Sequence, residues 1–264
     1  MDTSRLKKLA NELRQKTEME KSLKMARSRQ LHMLPSIPKV EGFEFKSLYL
    51  PCANVSGDFY DFIQVSPHEI GIAMGDVSGH GVEAAIIMGM AKKALQIYAK
   101  GLPNPKQALA LTNLDLGKDL DGETFVSASY GVLDTQERVF RFSRAGNNPP
   151  FLVNPARLPA LVEVRPNGMV IGVDKIGKHF NLVTQEEVIR LQSGDVLFQY
   201  TDGLIEAPNQ NKAEFGADSV KQLLLKNATL PVEALIDLME ESVQSHMGPC
   251  QQEDDITMIA FRVL

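Results

Sequence analysis

Aspartates recur in four short segments set far apart in the chain: Ser56-Gly57-Asp58-Phe59-Tyr60-Asp61, Gly75-Asp76-Val77-Ser78-Gly79-His80-Gly81, Tyr200-Thr201-Asp202-Gly203 and Glu253-Asp254-Asp255-Ile256-Thr257. Each borders an apolar run and sets an Asp beside Gly or a second Asp, which is how a fold collects hard oxygen ligands at one point. Such ligands suit Mg²⁺ or Mn²⁺. Asp58 precedes Asp76 by the separation expected of neighbouring antiparallel strands joined by a hairpin, so both side chains belong at one sheet end. Asp76 lies between a strand and a helix start, where its carboxylate and the Val77 carbonyl can face the same cation. Like charges within about 4 Å repel unless something positive sits between them. Convergence of Asp58, Asp76, Asp202 and Asp254 therefore demands cations. Two divalent ions about 3.5–4 Å apart would share a water, lower its pKa and polarise a phosphate ester. The chemistry is metal-assisted phosphoryl hydrolysis; no serine stands in a nucleophile-elbow context.

The elements that must hold these residues are legible in the hydrophobic pattern. Residues 3–33 contain no Gly or Pro and read as one helix, stopped at Pro35 and Pro38. Its apolar stripe, Leu6, Leu9, Leu13, Met19, Leu23, Ala26 and Met33, is too thin to be a core alone. It is read as packing on a second copy, an upstream domain or the body, with a solvated spacer or a membrane-surface contact as the competing readings. From Val40 the period changes to two. Strands are expected at Phe43–Tyr49, Phe59–Ile63, Ile70–Met74, Phe125–Asp134, Val139–Ala145, Phe151–Val153, Val196–Tyr200 and Ile256–Val263. His179–Leu191 reads as mostly strand. Helices are expected at Gly81–Lys100, Pro105–Asp119, Phe215–Lys226 and Val232–His246, the first apolar nearly all round and so sandwiched between layers. Strands interrupted by helix pairs imply an α+β domain, a β-sandwich of two antiparallel sheets flanked by α-helices.

Bulk properties narrow the class. The 264 residues are 44% hydrophobic and 23% charged, which excludes a disordered chain. No apolar run reaches the roughly 18 residues of a membrane span, and the polar start lacks the core of a signal peptide. A cytoplasmic address and no transmembrane segment are expected. Cys52 and Cys250 are too few for a disulfide framework and read as two small buried side chains without a role. The net charge of −5 divides unevenly: nine basic and four acidic residues give residues 1–34 a charge of +5 and leave −10 on residues 35–264. An acidic body is a poor partner for nucleic acid.

The motifs together resemble the metal-dependent protein phosphatase (PPM, protein phosphatase 2C-like) superfamily, in its bacterial stage-II-sporulation-protein-E-like branch with the RsbU-type stress-response phosphatases. The matching pieces, in family order over residues 35–264, are Val55–Asp61, Gly75–Gly81, Thr124-Phe125, Ala145-Gly146-Asn147-Asn148-Pro149-Pro150, Gly168-Met169-Val170-Ile171-Gly172, Gly194-Asp195, Tyr200–Ala207 and Asp254–Thr257. One alone is ordinary turn chemistry; the ordered set is specific.

The resemblance implies a PPM fold, an Mn²⁺ or Mg²⁺ pair, and hydrolysis of phosphoserine or phosphothreonine on a regulatory protein by metal-activated water. The expected substrate is an anti-sigma-factor antagonist of a partner-switching pathway. It further implies that Asp76 bridges the ions, that the Val77 carbonyl binds one and Asp202 and Asp254 the other, and that Asp58 holds an ion directly or through water. Asp255 is expected to orient rather than ligate. Gly57, His80 and Asn147 complete the candidate set. His80 is read either as a general acid or as part of a helix-start turn, and Asp61 and Glu206 as supporting or solvated acids. Ser56 and Asn147 depart from the common Gly and His without removing a ligand. The resemblance also implies a division into a basic linker helix, residues 1–34, able to dimerise as a coiled coil and receive an upstream sensor or activator, and a catalytic domain, residues 35–264. Two other activities fit the same fold: a phosphoprotein-binding scaffold without hydrolysis, and a small-molecule phosphohydrolase.

Overall fold

The computed structural model describes residues 3–264. The elements, in chain order, are α1 (Thr3–Leu31), β1 (Phe43–Leu50), β2 (Phe59–Ser66), β3 (Glu69–Val77), α2 (Val82–Ala99), α3 (Pro105–Leu116), β4 (Val126–Asp134) and β5 (Val139–Ala145). They continue with β6 (Phe151–Val153), β7 (Leu161–Glu163), α4 (Lys178–Val183), β8 (Glu187–Arg190), β9 (Val196–Tyr200), α5 (Asp202–Glu206), α6 (Ala217–Asn227), α7 (Val232–Met247) and β10 (Ile256–Val263).

The strands form two five-stranded antiparallel sheets, in the orders β1-β10-β9-β6-β7 and β2-β3-β4-β5-β8. The sandwich expected from the strand pattern is therefore present. Its middle layer includes Ile72, Met74, Phe140, Phe142, Leu197, Ile259 and Phe261. Phe140 of one sheet meets Phe261 of the other edge-on, with ring centroids 5.5 Å apart. The outer layers are apolar as well. Helices α2 and α3 cover the second sheet, and α6 and α7 cover the first. This double covering explains why β3 reads as an almost continuous apolar run: Ile70 through Gly75 are buried on both faces.

Local chemistry sets the helix ends. Asn104 accepts from the Gln107 N–H at 2.8 Å ahead of Pro105, a strong start for α3. Helix α7 buries Val232, Leu235, Ile236, Met239, Val243 and Met247, one stripe at helical spacing.

Three expectations about the elements and the cysteines fail, and a fourth about Asp61. Residues 178–183 are helical and only Glu187–Arg190 is strand. The cause is local: Gly177 turns left-handed (φ 76°), the Asp174 carboxylate accepts from the Phe180 N–H, and Phe180 is fully buried beneath. Helix α2 is not sandwiched all round. Ala84, Met88, Ala91 and Leu95 face the sheet, but Val82, Ile86 and Ile97 are exposed. The cysteines, finally, are half-buried and unpaired rather than buried.

Asp61 is neither a solvated acid nor part of the acidic centre. It is buried in β2 and ion-paired at 2.7 Å with Lys92 of α2, whose ammonium also donates to the Tyr60 carbonyl at 3.0 Å. Gln96 donates to the same carboxylate. Removing one partner of a buried pair leaves an uncompensated charge. Lys92→Met is expected to cost about 3 kcal/mol in urea unfolding, and Lys92→Met combined with Asp61→Leu to recover most of it.

Helix α1 differs from the body. Among its residues with described side chains only Gln30 is buried, and Leu9, Leu13, Met19 and Met25 are exposed. The i,i+4 pairs Lys8–Glu12 and Arg14–Glu18 are exposed and add only tenths of a kcal/mol each, about 0.3–0.5.

Candidate functional site

The sheet registers bring the four acidic segments to one end of the sandwich. Phe59 pairs with Gly75 in β2–β3, and one further step in that register sets Asp58 opposite Asp76. In the other sheet Met258 pairs with Tyr200. The next step sets Thr257 opposite Thr201, whose N–H donates to the Thr257 carbonyl at 3.0 Å. Asp202 then opens α5, and Asp254 and Asp255 lead into β10.

Asp58 joins the two sheets. It is 1% exposed, and its Oδ2 accepts from the Thr201 hydroxyl at 2.8 Å and the Thr257 hydroxyl at 2.5 Å. The Tyr49 hydroxyl donates to its carbonyl at 3.3 Å. The Val77 carbonyl faces Gly57, where an added Cβ would stand 3.0 Å from that oxygen. Asp255 is buried and its carboxylate is occupied: Oδ1 accepts from the Cys52 N–H at 2.8 Å and Oδ2 from the Gly57 N–H at 3.1 Å. It ties the loop before Asp58 to the start of β10. Asp254 accepts from the Asp255 N–H at 2.7 Å and is otherwise open to solvent.

The electrostatics are those of crowded acids. Burial and the Asp76 charge push the Asp58 carboxyl well above the usual carboxylate range, against the two threonine hydroxyls that hold it down. Burial first, then Asp202, Asp254 and Asp255, push Asp76 up to about 7, with the hydrogen bond from Asp58 opposing. Asp254 is also raised, by partial burial, Asp202 and the Asp255 charge, while the hydrogen bond from the Asp255 N–H and then His80 pull it down. His80 is exposed just ahead of α2. Asn147 is buried at the end of β5; its Nδ2 has no partner, and it makes no hydrogen bond to these carboxylates. Glu206 is exposed in α5, its carboxyl raised by partial burial and Asp202.

Among the described residues, no three His, Cys, Asp or Glu side chains close on one point at ligand spacing. The centre is a set of converging carboxylates rather than a finished coordination shell. Its donors are hard oxygens, and the strongest charges acting on Asp76 are those of neighbouring acids. That donor set fits Mg²⁺ or Mn²⁺ and is unsuited to soft metals.

A pH dependence follows. A carboxyl whose folded pKa lies above its unfolded value of about 3.9 favours the folded state most below that value. The contribution declines as pH rises toward the folded pKa, here about 7 for Asp76. In EDTA the melting temperature should fall between pH 5 and pH 8, and Mn²⁺ should restore it most at the upper end. Melting curves in both conditions test this.

Thr201, Thr257 and Gln30, which donates to the Ser56 carbonyl at 2.7 Å, were not among the sequence candidates. The threonines were detectable, since each adjoins an acidic motif in the chain. Nothing in the sequence flags Gln30.

Known proteins resemble this chain in sequence and in fold. Protein IcfG of Synechocystis sp. is 26% identical over 90% of the chain, and phosphoserine phosphatase RsbU of Bacillus subtilis is 24% identical over 93%. The chain spans 41% of the length of the first and 71% of the second. The solved SiaA-PP2C domain of Pseudomonas aeruginosa superposes with a TM-score of 0.80 at 22% identity, covering 94% of this chain and 98% of that one. Among the described residues no helix is long and apolar enough to cross a membrane. The model of the stage II sporulation protein E (SpoIIE) family matches residues 66–264, and with the two-sheet fold and the acidic end of the sandwich it follows that the chain belongs to the SpoIIE family of PP2C-like phosphatase domains.

Proposed function

We propose that this chain is a metal-dependent serine/threonine phosphatase acting on a phosphorylated regulatory protein, with an Mn²⁺ or Mg²⁺ pair held by Asp58, Asp76, the Val77 carbonyl, Asp202 and Asp254. One observation carries the reading: carboxylates from four distant segments meet at one end of the sandwich, with Asp58 pushed above its ordinary range by burial and Asp76, and Asp76 by burial, Asp202, Asp254 and Asp255. When bound, the two ions would supply Lewis-acid polarisation of the phosphate and an acidified water.

The chain's own residues do the rest. Thr201 and Thr257 fix the Asp58 carboxylate, and Asp255 fixes the loop before it through two backbone N–H groups. His80, exposed and acting on the Asp254 charge, is the residue proposed to hand a proton to the departing seryl oxygen. Cys52 is no competing nucleophile, because burial and Asp255 push its thiol up to about 12.

The similarity to a phosphoserine phosphatase, RsbU, supports a phosphorylated protein as substrate, and the one proposed is an anti-sigma-factor antagonist in a partner-switching pathway. Residues 35–264 are the catalytic domain and residues 1–34 a linker that dimerises and receives an upstream sensor, in the cytoplasm. The exposed stripe of Leu9, Leu13 and Met19 supports the linker reading.

Phosphate release with Mn²⁺, measured side by side on phosphoserine proteins and on nucleotides, tests the activity. Release from the phosphoproteins is expected. Capture without release would establish a scaffold, and preference for nucleotides a small-molecule phosphohydrolase. Sedimentation tests the linker: the full chain should be a dimer and residues 35–264 a monomer, and a monomeric full chain refutes it.

A further inference from the structure

The loop between β1 and β2 carries Asp58 yet has no regular structure of its own. Side chains from elsewhere must fix it. Asp255 holds the Cys52 and Gly57 N–H groups, and Ser56 Oγ accepts from the Asp58 N–H at 3.0 Å. A further anchor comes from the last turn of α1. Gln30 donates from Nε2 to the Ser56 carbonyl at 2.7 Å and accepts at Oε1 from the Ser56 N–H at 3.0 Å.

This carboxamide occupies both polar groups of one residue's backbone, as a neighbouring strand would. Ser56 is 1% exposed and Gln30 7%, so water cannot readily replace either bond. Ser56 lies two residues before Asp58 and one before Gly57. Gly57 in turn sits so close to the Val77 carbonyl that a Cβ would reach within 3.0 Å. A shift of the Ser56 backbone is therefore passed to Asp58 and, through Gly57, to the Val77 carbonyl.

We infer that Gln30 is a positioning residue for divalent-cation binding: its carboxamide sets the Ser56-Gly57-Asp58 backbone, and the affinity of the carboxylate centre for Mn²⁺ depends on it. The inference rests on the metal site proposed above. Gln30 lies outside the 66–264 family match and touches no candidate ligand side chain, so its effect is on placement. Contacts that orient ligands without touching the ion typically change affinity about 10- to 100-fold.

The test is Mn²⁺ titration of the full chain, following the electron paramagnetic resonance signal of free Mn²⁺, for the wild type, Gln30→Ala, Gln30→Glu, Met25→Ala and Asp76→Asn. Gln30→Ala should bind Mn²⁺ about ten-fold or more weakly. Turnover of a phosphoserine protein should return toward the wild-type value at saturating Mn²⁺. Gln30→Glu keeps the acceptor for the Ser56 N–H and loses the donor, so its affinity should fall between; it also carries the comparison if Gln30→Ala does not fold. Met25→Ala, on the exposed side of the same helix, should match the wild type. A merely structural role would lower the melting temperature in EDTA and leave the Mn²⁺ affinity of the folded variant unchanged, and that result overturns the inference. A wild type that binds no Mn²⁺, or Asp76→Asn that binds it normally, overturns the metal site instead.

Discussion

Asp76→Asn should abolish Mn²⁺ binding and lower phosphoserine turnover by more than about a hundred-fold, since even contacts one step removed from a metal cost about 10- to 100-fold. The change keeps the side chain's shape and removes its charge. Asp76 is the carboxylate on which Asp202, Asp254 and Asp255 all act, so it sits where their repulsion is greatest. The same crowding gives the prediction a second and opposite arm. In EDTA above pH 7 the variant should melt higher than the wild type, because the neutral amide removes the charge that burial and three acids oppose. An inactive variant that is the more stable of the two in EDTA separates loss of a ligand from loss of the fold. Equal activity, or lower stability in EDTA, would show that Asp76 is not the focus of the acidic centre. Proteins commonly hold such destabilising arrangements where function needs them.

Gly203→Ala is the second large effect, and it acts through the backbone. Gly203 follows Asp202 in the first turn of α5, and a Cβ there would lie 2.1 Å from the Asp255 carbonyl oxygen and 3.3 Å from the Asp254 Cβ. No flexible side chain can yield, because the nearest atoms belong to the main chain entering β10. Relief requires α5 and the Asp254-Asp255 segment to part, which separates Asp202 from Asp254 and loosens the bonds from Cys52 and Gly57 to Asp255. Clashes of this kind fall in the most damaging class of substitutions, more than about 4 kcal/mol. The expected result is a protein with a much lower urea midpoint and no Mn²⁺-dependent turnover at any Mn²⁺ concentration. Wild-type stability for Gly203→Ala would mean that α5 and the β10 approach are less tightly opposed than the structure has them.

Much of this was legible in the residues. The unbroken run Ile70–Met74 gave the doubly covered strand β3, and the alternation in Phe43–Tyr49 gave β1, although β1 is partly buried on both faces. The Asp58–Asp76 pairing followed from hairpin length alone. What escaped depended on tertiary context. Residues 178–183 look extended by composition and are helical because Gly177, Asp174 and the burial of Phe180 override it. Asp61 resembled a loop acid because its partner, Lys92, lies on another element. Helix α2 seemed enclosed because an apolar residue reads alike whether or not anything covers it. In the site, the aspartates announced themselves by position beside glycine. Thr201 and Thr257 were marked only by adjoining those motifs, and Gln30 not at all, because a glutamine serving a backbone has no periodicity.

Asp58 is fixed by hydroxyls from Thr201, just past β9, and Thr257 of β10, and β10 lies between β1 and β9 in its sheet. A growing polypeptide cannot complete that sheet until residue 263 has been synthesised. Until then Asp58 and Asp76 have no opposing pair, whatever the β2-β3-β4-β5-β8 sheet has achieved. Activity is thus withheld from every shorter nascent form, and truncation before β10 should silence the enzyme rather than release it from control.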